Sequence, residues 1–303
     1  MIKVHLGFGL LAAASLLAPT AVAQDWDTVE LTAEHVRDGI HVLFGLGGNI
    51  GVSAGADGVF LIDDQFAPLT PKVRAAIAEI SDQPIRFLIN THYHGDHTGG
   101  NENLGTAGTV IVAHDELRTR LLARPLEDSG GWTEEGAVHG LPVITFNDEL
   151  SFHLNGDEAR AIHVPNAHTD GDSFIHFKST NVIHMGDLMF NGLFPYIDVD
   201  AGGNVDGVLA GYVRALALTD EDTLVVPGHG PVATKKDLIS NRAMIQTVRD
   251  RVAALIGERK SLEAVLAAAP TAEYDEAYTW SFIDPEKFVT SVYVSLTGPP
   301  RSP

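Results

Sequence analysis

The sequence predicts a layered α/β fold, and three observations lead there. Short apolar runs bounded by glycine, asparagine and aspartate recur from residue 39 to about 230. A helical periodicity interrupts them after Pro71 and takes over beyond Gly230. Several of the runs end directly in a loop that carries a histidine or an aspartate beside a glycine. Strands, a helix, further strands and then helices imply sheets covered by helices.

Taken in order, "HVLFG", "NIGVSAG" and "GVFLIDD" (41–64) read as strands, with Gly-Ala-Asp-Gly at 55–58 as a turn. A helix is predicted from about Pro71: Thr70 can cap it, and Val73, Ile77 and Ile80 share one face. "IRFLIN" (85–90) is a short buried strand running into Thr91-His92. "TVIVAH" (109–114) is another, followed by a helix carrying Leu117 and Leu121. "LPVITF", "ARAIHVP", "SFIHFKS" and "NVIHMGD" make the stretch from 139 to 187 strand-rich, and "DTLVVPGHG" ends the series. Leu238, Ile245, Val248, Val252 and Leu255 mark one face of a long helix stopped at Gly257. Ser261 caps a second helix, ended by Pro270. The aromatic density of the last thirty residues predicts a tail packed on the body.

The chain starts with Lys3, an apolar run from Leu6 to Leu17 and the small-x-small triplet Ala21-Val22-Ala23. These are the parts of a cleavable signal peptide cut after Ala23, so the expected location is periplasmic or secreted, with no membrane contact after cleavage. The organisation expected is thus a leader at 1–23, one domain at 24–235, and a helical extension at 236–303 packed on it. With no cysteine, any metal site must use nitrogen and oxygen ligands. A formal charge of −20 argues against a nucleic-acid partner.

The chemistry is concentrated in Thr91-His92-Tyr93-His94-Gly95-Asp96-His97. His92 and His94, two apart in an extended segment, point the same way, while Asp96 and His97 lie past the turn and can face a second point. Imidazole and carboxylate suit zinc, and are acceptable to iron or manganese. His168, Asp187 and His229 follow other strand-like runs, each with a glycine nearby, as expected of loops converging on one sheet edge. His114, His139, His153, His163, His176 and His184 are read as structural.

With its HxHxDH motif at 92–97, the chain resembles the metallo-β-lactamase fold superfamily from about Gly47 to Gly230. The resemblance implies a four-layer αββα sandwich and two zinc ions. It assigns His92, His94 and His168 to the first ion, Asp96, His97 and His229 to the second, and Asp187 to a bridge between them. Asp63 would orient a ligand from behind. The implied reaction is attack of a metal-bridging hydroxide, oriented by Asp96, on the carbonyl of a small molecule. Phe190 stands where cysteine-containing zinc β-lactamases carry a lysine that grips the drug's carboxylate. The expectation is therefore a β-lactamase-like hydrolase whose β-lactam turnover is weak. Phe66, Trp132, Phe194 and Tyr196 are expected to wall its pocket. Alternatives are a lactone, ester or thioester hydrolase like glyoxalase II, an iron-dependent oxygenase of the same fold, and a metal-binding accessory protein without catalysis. The oligomeric state is open.

Overall fold

Seven strands follow one another across a first sheet in chain order: β1 (Thr32–Arg37), β2 (Ile40–Phe44), β3 (Ile50–Gly55), β4 (Gly58–Ile62), β5 (Ile85–Ile89), β6 (Val110–His114) and β7 (Ile144–Phe146). The computed structural model describes residues 24–298 apart from 127, 128, 130 and 135, so the leader expected at 1–23 lies outside the described residues. β1 to β4 form an antiparallel meander, while β4 to β7 run parallel. Parallel neighbours need crossovers. These are α1 (Thr70–Ile80) after β4, α2 (Gly95–Thr98) with α3 (Asn101–Thr106) after β5, and α4 (Asp115–Ala123) after β6.

The second sheet holds β8 (Glu149–Leu154), β9 (Asp157–His163), β10 (Ser173–Phe177), β11 (Val182–Phe190), β12 (Leu224–His229) and β13 (Ala233–Thr234), in the spatial order β13-β12-β11-β10-β9-β8. Its one parallel pair, β11 with β12, is bridged by α5 (Val205–Leu216). α6 (Lys235–Gly257), α7 (Leu262–Ala267), α8 (Asp275–Tyr278) and α9 (Pro285–Thr297) complete the chain.

Three apolar interfaces stack these parts into the αββα sandwich. Between the sheets, Phe60, Ile62, Ile89 and Val112 face Phe152, Ala161, Ile175 and Val226. On the outer side of the first sheet, Val52, Leu61 and Leu88 pack on Val73 and Ile77 of α1. Outside the second, Phe174 and Met185 meet Tyr212 of α5, Ile245 and Val248 of α6, and Phe288 and Val292 of α9. Coverage on both faces explains why β4 and β11 are buried at every position; β4 reads as an unbroken apolar run, while β11 carries His184 and Asp187 among its apolar residues.

Two local expectations shift. Thr70 is the first residue of α1 rather than its cap. A 3₁₀ turn at Ala67–Leu69 leads straight into the helix, and the Thr70 hydroxyl accepts a hydrogen bond from Asn103 instead. The "LPVITF" run is extended only over its last three residues. Ser261 does cap α7, accepting from the Ala264 amide.

Candidate metal centre

The cluster at 92–97 lies where β5 leaves the first sheet, and a neighbouring loop fixes its shape. Asp63, just past β4, is fully buried with a positive φ of 62°. One carboxylate oxygen accepts the Thr91 amide (2.7 Å), and the other accepts the Thr91 hydroxyl (2.7 Å) and the His97 Nδ1–H (2.8 Å). That grip sends His97 Nε2 into the site. A side chain at position 48 has no room, because a Cβ there would sit 2.0 Å from the His97 ring. The second sheet is tied to the same edge by Asn49. Its amide donates to Gly228 O, and its side chain donates to Pro227 O and Gly230 O.

From that second sheet come His168 after β9, Asp187 within β11 and His229 at the end of β12. The structure brings all seven residues together in two groups: His92, His94, His168 and Asp187, then Asp96, His97 and His229. Within each, the ligand atoms lie within 4.8 Å of one another. His168 Nε2 is 2.9 Å from His94 Nδ1, and His97 Nε2 is 3.4 Å from His229 Nε2. Asp187 stands between the groups, 3.6 Å from His168 and 3.1 Å from His97. Position 228 must be glycine for it to sit there, since a Cβ would come 2.0 Å from Asp187 Oδ1.

Metal ions fit this arrangement on its own terms. His92 Nε2 and Asp187 Oδ1 are buried and make no hydrogen bond, a costly state unless something else binds them. Burial pushes His92 well below its ordinary value and takes His168 to about 4, so both rings keep the lone pairs a cation needs. Burial also works against charge on His229, but Asp187 and Asp96 outweigh it and raise the ring to about 9. Asp96 shows the reverse balance: His97 and His229 overcome its burial and hold it at about 2. A cation would take the place of the protons that the second group otherwise attracts.

The supporting contacts include one that the sequence reading missed. Asp198 accepts from His94 Nε2 (2.9 Å) and from the Tyr93 hydroxyl (2.8 Å), while His168 Nδ1 donates to Tyr196 O (2.8 Å). Each imidazole is thereby fixed in tautomer and direction from behind. No motif marks Asp198; its one signal was a place after a strand-like run ending in a glycine-bearing loop.

Above the two groups opens a cavity of about 750 Å³. Phe66 and Tyr196 line it, as expected, together with Tyr93, Phe190, Trp280 and Phe282. Trp132 and Phe194 do not. Trp132 is buried behind the 98–99 backbone, its indole N–H donating to Thr98 O and Gly99 O. Phe194 is buried in the helical layer, stacked 5.1 Å from Phe288. Phe190 lies parallel to the His229 ring at 5.2 Å. Three of the other histidines are occupied elsewhere. His114 caps α4 and stacks on His163 at 3.6 Å, and His184 bonds Asn49 O.

Comparison with known proteins agrees with this geometry. A hydroxyacylglutathione hydrolase of a Polaromonas species is 25% identical over 60% of this chain, which spans 66% of that relative's length. One from Nitrosococcus oceani is 26% identical over 78% of this chain and 82% of its own. A probable metallo-hydrolase of Bacillus subtilis, YqgX, is 29% identical over 60% and 90%. Among solved structures, a metallo-beta-lactamase from Pontibacter korlensis superposes with a TM-score of 0.59 at 19% identity, covering 72% of this chain and 99% of that one. A sec-alkylsulfatase from Pseudomonas sp. gives 0.65 at 16%, covering 88% and 50%. The sequence model of the metallo-beta-lactamase superfamily matches residues 43–229. The chain belongs to that superfamily.

Proposed function

We propose that this protein is an exported hydrolase that holds two zinc ions and cleaves a small molecule at a carbonyl. One observation carries the reading: seven ligating side chains from both sheets converge under an open cavity, two of their buried atoms without a hydrogen bond. Zinc suits a set made only of imidazole and carboxylate. Bound there, the ions supply a water ionised near neutral pH and a Lewis-acid hold on the carbonyl oxygen.

The protein's own groups do the rest. Asp96, ionised and a quarter exposed at the cavity floor, accepts a hydrogen bond from the attacking water and turns its lone pair toward the carbonyl. Asp198 and Asp63 keep His94 and His97 from turning away. The aromatic walls exclude bulk water and hold the apolar part of the substrate. Esters, lactones, thioesters and amides, the β-lactam bond among them, fall within this reaction.

The test is turnover of a chromogenic β-lactam and of a p-nitrophenyl ester by protein loaded with two zinc equivalents, with Asp96→Asn as control. Metal-dependent hydrolysis of either, lost in the variant, supports the reading. Stoichiometric iron with no hydrolysis would replace it with the oxygenase alternative. N-terminal sequencing of the exported protein should start at Gln24.

A further inference from the structure

The wall of the cavity and the charge around it carry the reading of the site one step further, to the class of substrate, and this step rests on the hydrolase reading above. Among the described residues, the lining contains no lysine or arginine. The sequence shows how thorough that exclusion is. Residues 38–71, 87–117, 179–213, 215–234 and 261–286, which supply every lining residue, contain neither type. Six aromatic rings stand there instead: Phe66, Tyr93, Phe190, Tyr196, Trp280 and Phe282. Trp280 and Phe282 come from the chain between α8 and α9, and Phe282 is half exposed at the rim.

The cations nearby are already engaged. Arg120 pairs with Asp170 through two nitrogens, and Arg124 donates to Tyr93 O and Thr98 Oγ1 with its guanidinium over Trp132. Both border a separate hollow behind Tyr93–Gly95. Lys287 lies in the groove beyond Phe282, its ammonium held by Phe282 O at 2.8 Å, and that groove also carries Asp200, Asp284 and Glu286. Nor would two divalent ions leave an unbalanced positive charge. Asp63, Asp96, Asp187 and Asp198 all bond or adjoin the ligating histidines. Four carboxylates match the charge of two divalent cations before any water ionises.

We propose that the cavity selects acyl substrates that are uncharged or cationic and carry a bulky apolar group, and that it discriminates against substrates bearing a free carboxylate. β-Lactam antibiotics and glutathione thioesters both fall in the disfavoured class. The apolar group is held against Trp280, Tyr196 and Phe282. A cationic group would sit against the faces of Trp280 and Tyr196, since Lys287 already lies 5.6 Å over the Phe282 ring.

Three p-nitrophenyl esters with one six-carbon acyl chain test this: one ending in methyl, one in carboxylate and one in trimethylammonium. For the zinc-loaded protein at low salt, the neutral and cationic esters should exceed the anionic ester in kcat/KM by about tenfold or more, the size expected for one charge met at close range in a partly buried site. The matching p-nitroanilides, read by quenching of tryptophan fluorescence before any p-nitroaniline is released, report binding apart from turnover. They should bind in the same order, tightest for the neutral and cationic forms. Ser281→Lys adds a cation at an exposed lining position and should narrow the preference by about tenfold. Equal or preferred binding and turnover of the carboxylate forms would overturn the proposal. Ordered anilide binding with no hydrolysis of any ester would uphold the selectivity and overturn the hydrolase reading instead.

Discussion

Asp198 has the position of a metal ligand's partner without being a ligand. It meets His94 on the nitrogen that faces away from His168, and its own charge is secured against burial by His94 and Tyr93, which hold it at about 2. Asp198→Asn should weaken metal affinity by about 10–100-fold, measured by competition with a chromogenic chelator. The weaker-held ion should be the one beside His94, so one equivalent should be lost before the other. Simultaneous and unchanged release of both ions would remove this role. Asp63 is predicted to act in the same way on His97. Asp63 was legible through the family resemblance, which has an acidic residue at the end of that strand run, and the seven converging side chains were legible because a compact motif anchors them. Asp198 was not, since nothing in the local pattern separates a carboxylate that orients a histidine from one that caps a turn. Trp132 and Phe194 failed for a related reason: sequence places an aromatic ring near a site without saying which way it points. Both point inward, where their apolar area is better covered.

Edge elements, too, hid from the sequence. β1 is exposed at four of its six positions and β8 buries only Phe152, so neither shows a clear apolar alternation. In α5, Gly207 and Gly211 interrupt the helical pattern. A Cβ at 207 would come 1.8 Å from Asn166 O, so the glycine serves the close approach of helix to loop. The start of β9 depends on Asp157, whose carboxylate accepts from the amides of Glu158, Ser179 and Thr180 and from the Thr180 hydroxyl. Burial opposes its charge, but these donors prevail and its folded value is depressed. A depressed carboxyl contributes stability above its unfolded value and loses it as the pH falls. Asp157→Asn should therefore destabilise by about 1–2 kcal/mol near pH 7, a figure reduced for partial exposure. The difference should shrink below about pH 4, near the unfolded carboxyl value, in urea melts at both pH values. An equal loss at both would mean that the charge is irrelevant. α9 is anchored by Val289, Val292 and Phe288, the last fully buried against Phe194. Phe288→Ala should cost about 3–5 kcal/mol and loosen the segment that carries Trp280 and Phe282.

At the scale of the whole molecule, metal held by these side chains would join two sheets that are also held by apolar packing and by hydrogen bonds from Asn49, Asn155 and Arg37. Residues 92–97 follow β5 of the first sheet; His168 follows β9 of the second, which carries Asp187 in β11 and His229 in β12. Metal that binds only the folded chain at a thousandfold excess over its dissociation constant adds about 4 kcal/mol, so chelation should lower Tm by on the order of 10 °C. Scanning calorimetry before and after dialysis against a chelator checks this, with recovery on adding zinc; an unchanged Tm in metal-free protein would show that packing alone sets the sheet junction. The two rings at the cavity mouth follow from a different part of the chain. Trp280 and Phe282 lie some fifty residues past the last ligand and outside the 43–229 stretch by which the superfamily is recognised. On the proposed reading, the metal-holding side chains and four of the six lining rings lie inside that stretch, while these two rings are added from a later passage of the chain. A graft of residues 258–298 between relatives should therefore reshape the mouth of the cavity while leaving residues 92–97, 168, 187 and 229 in place.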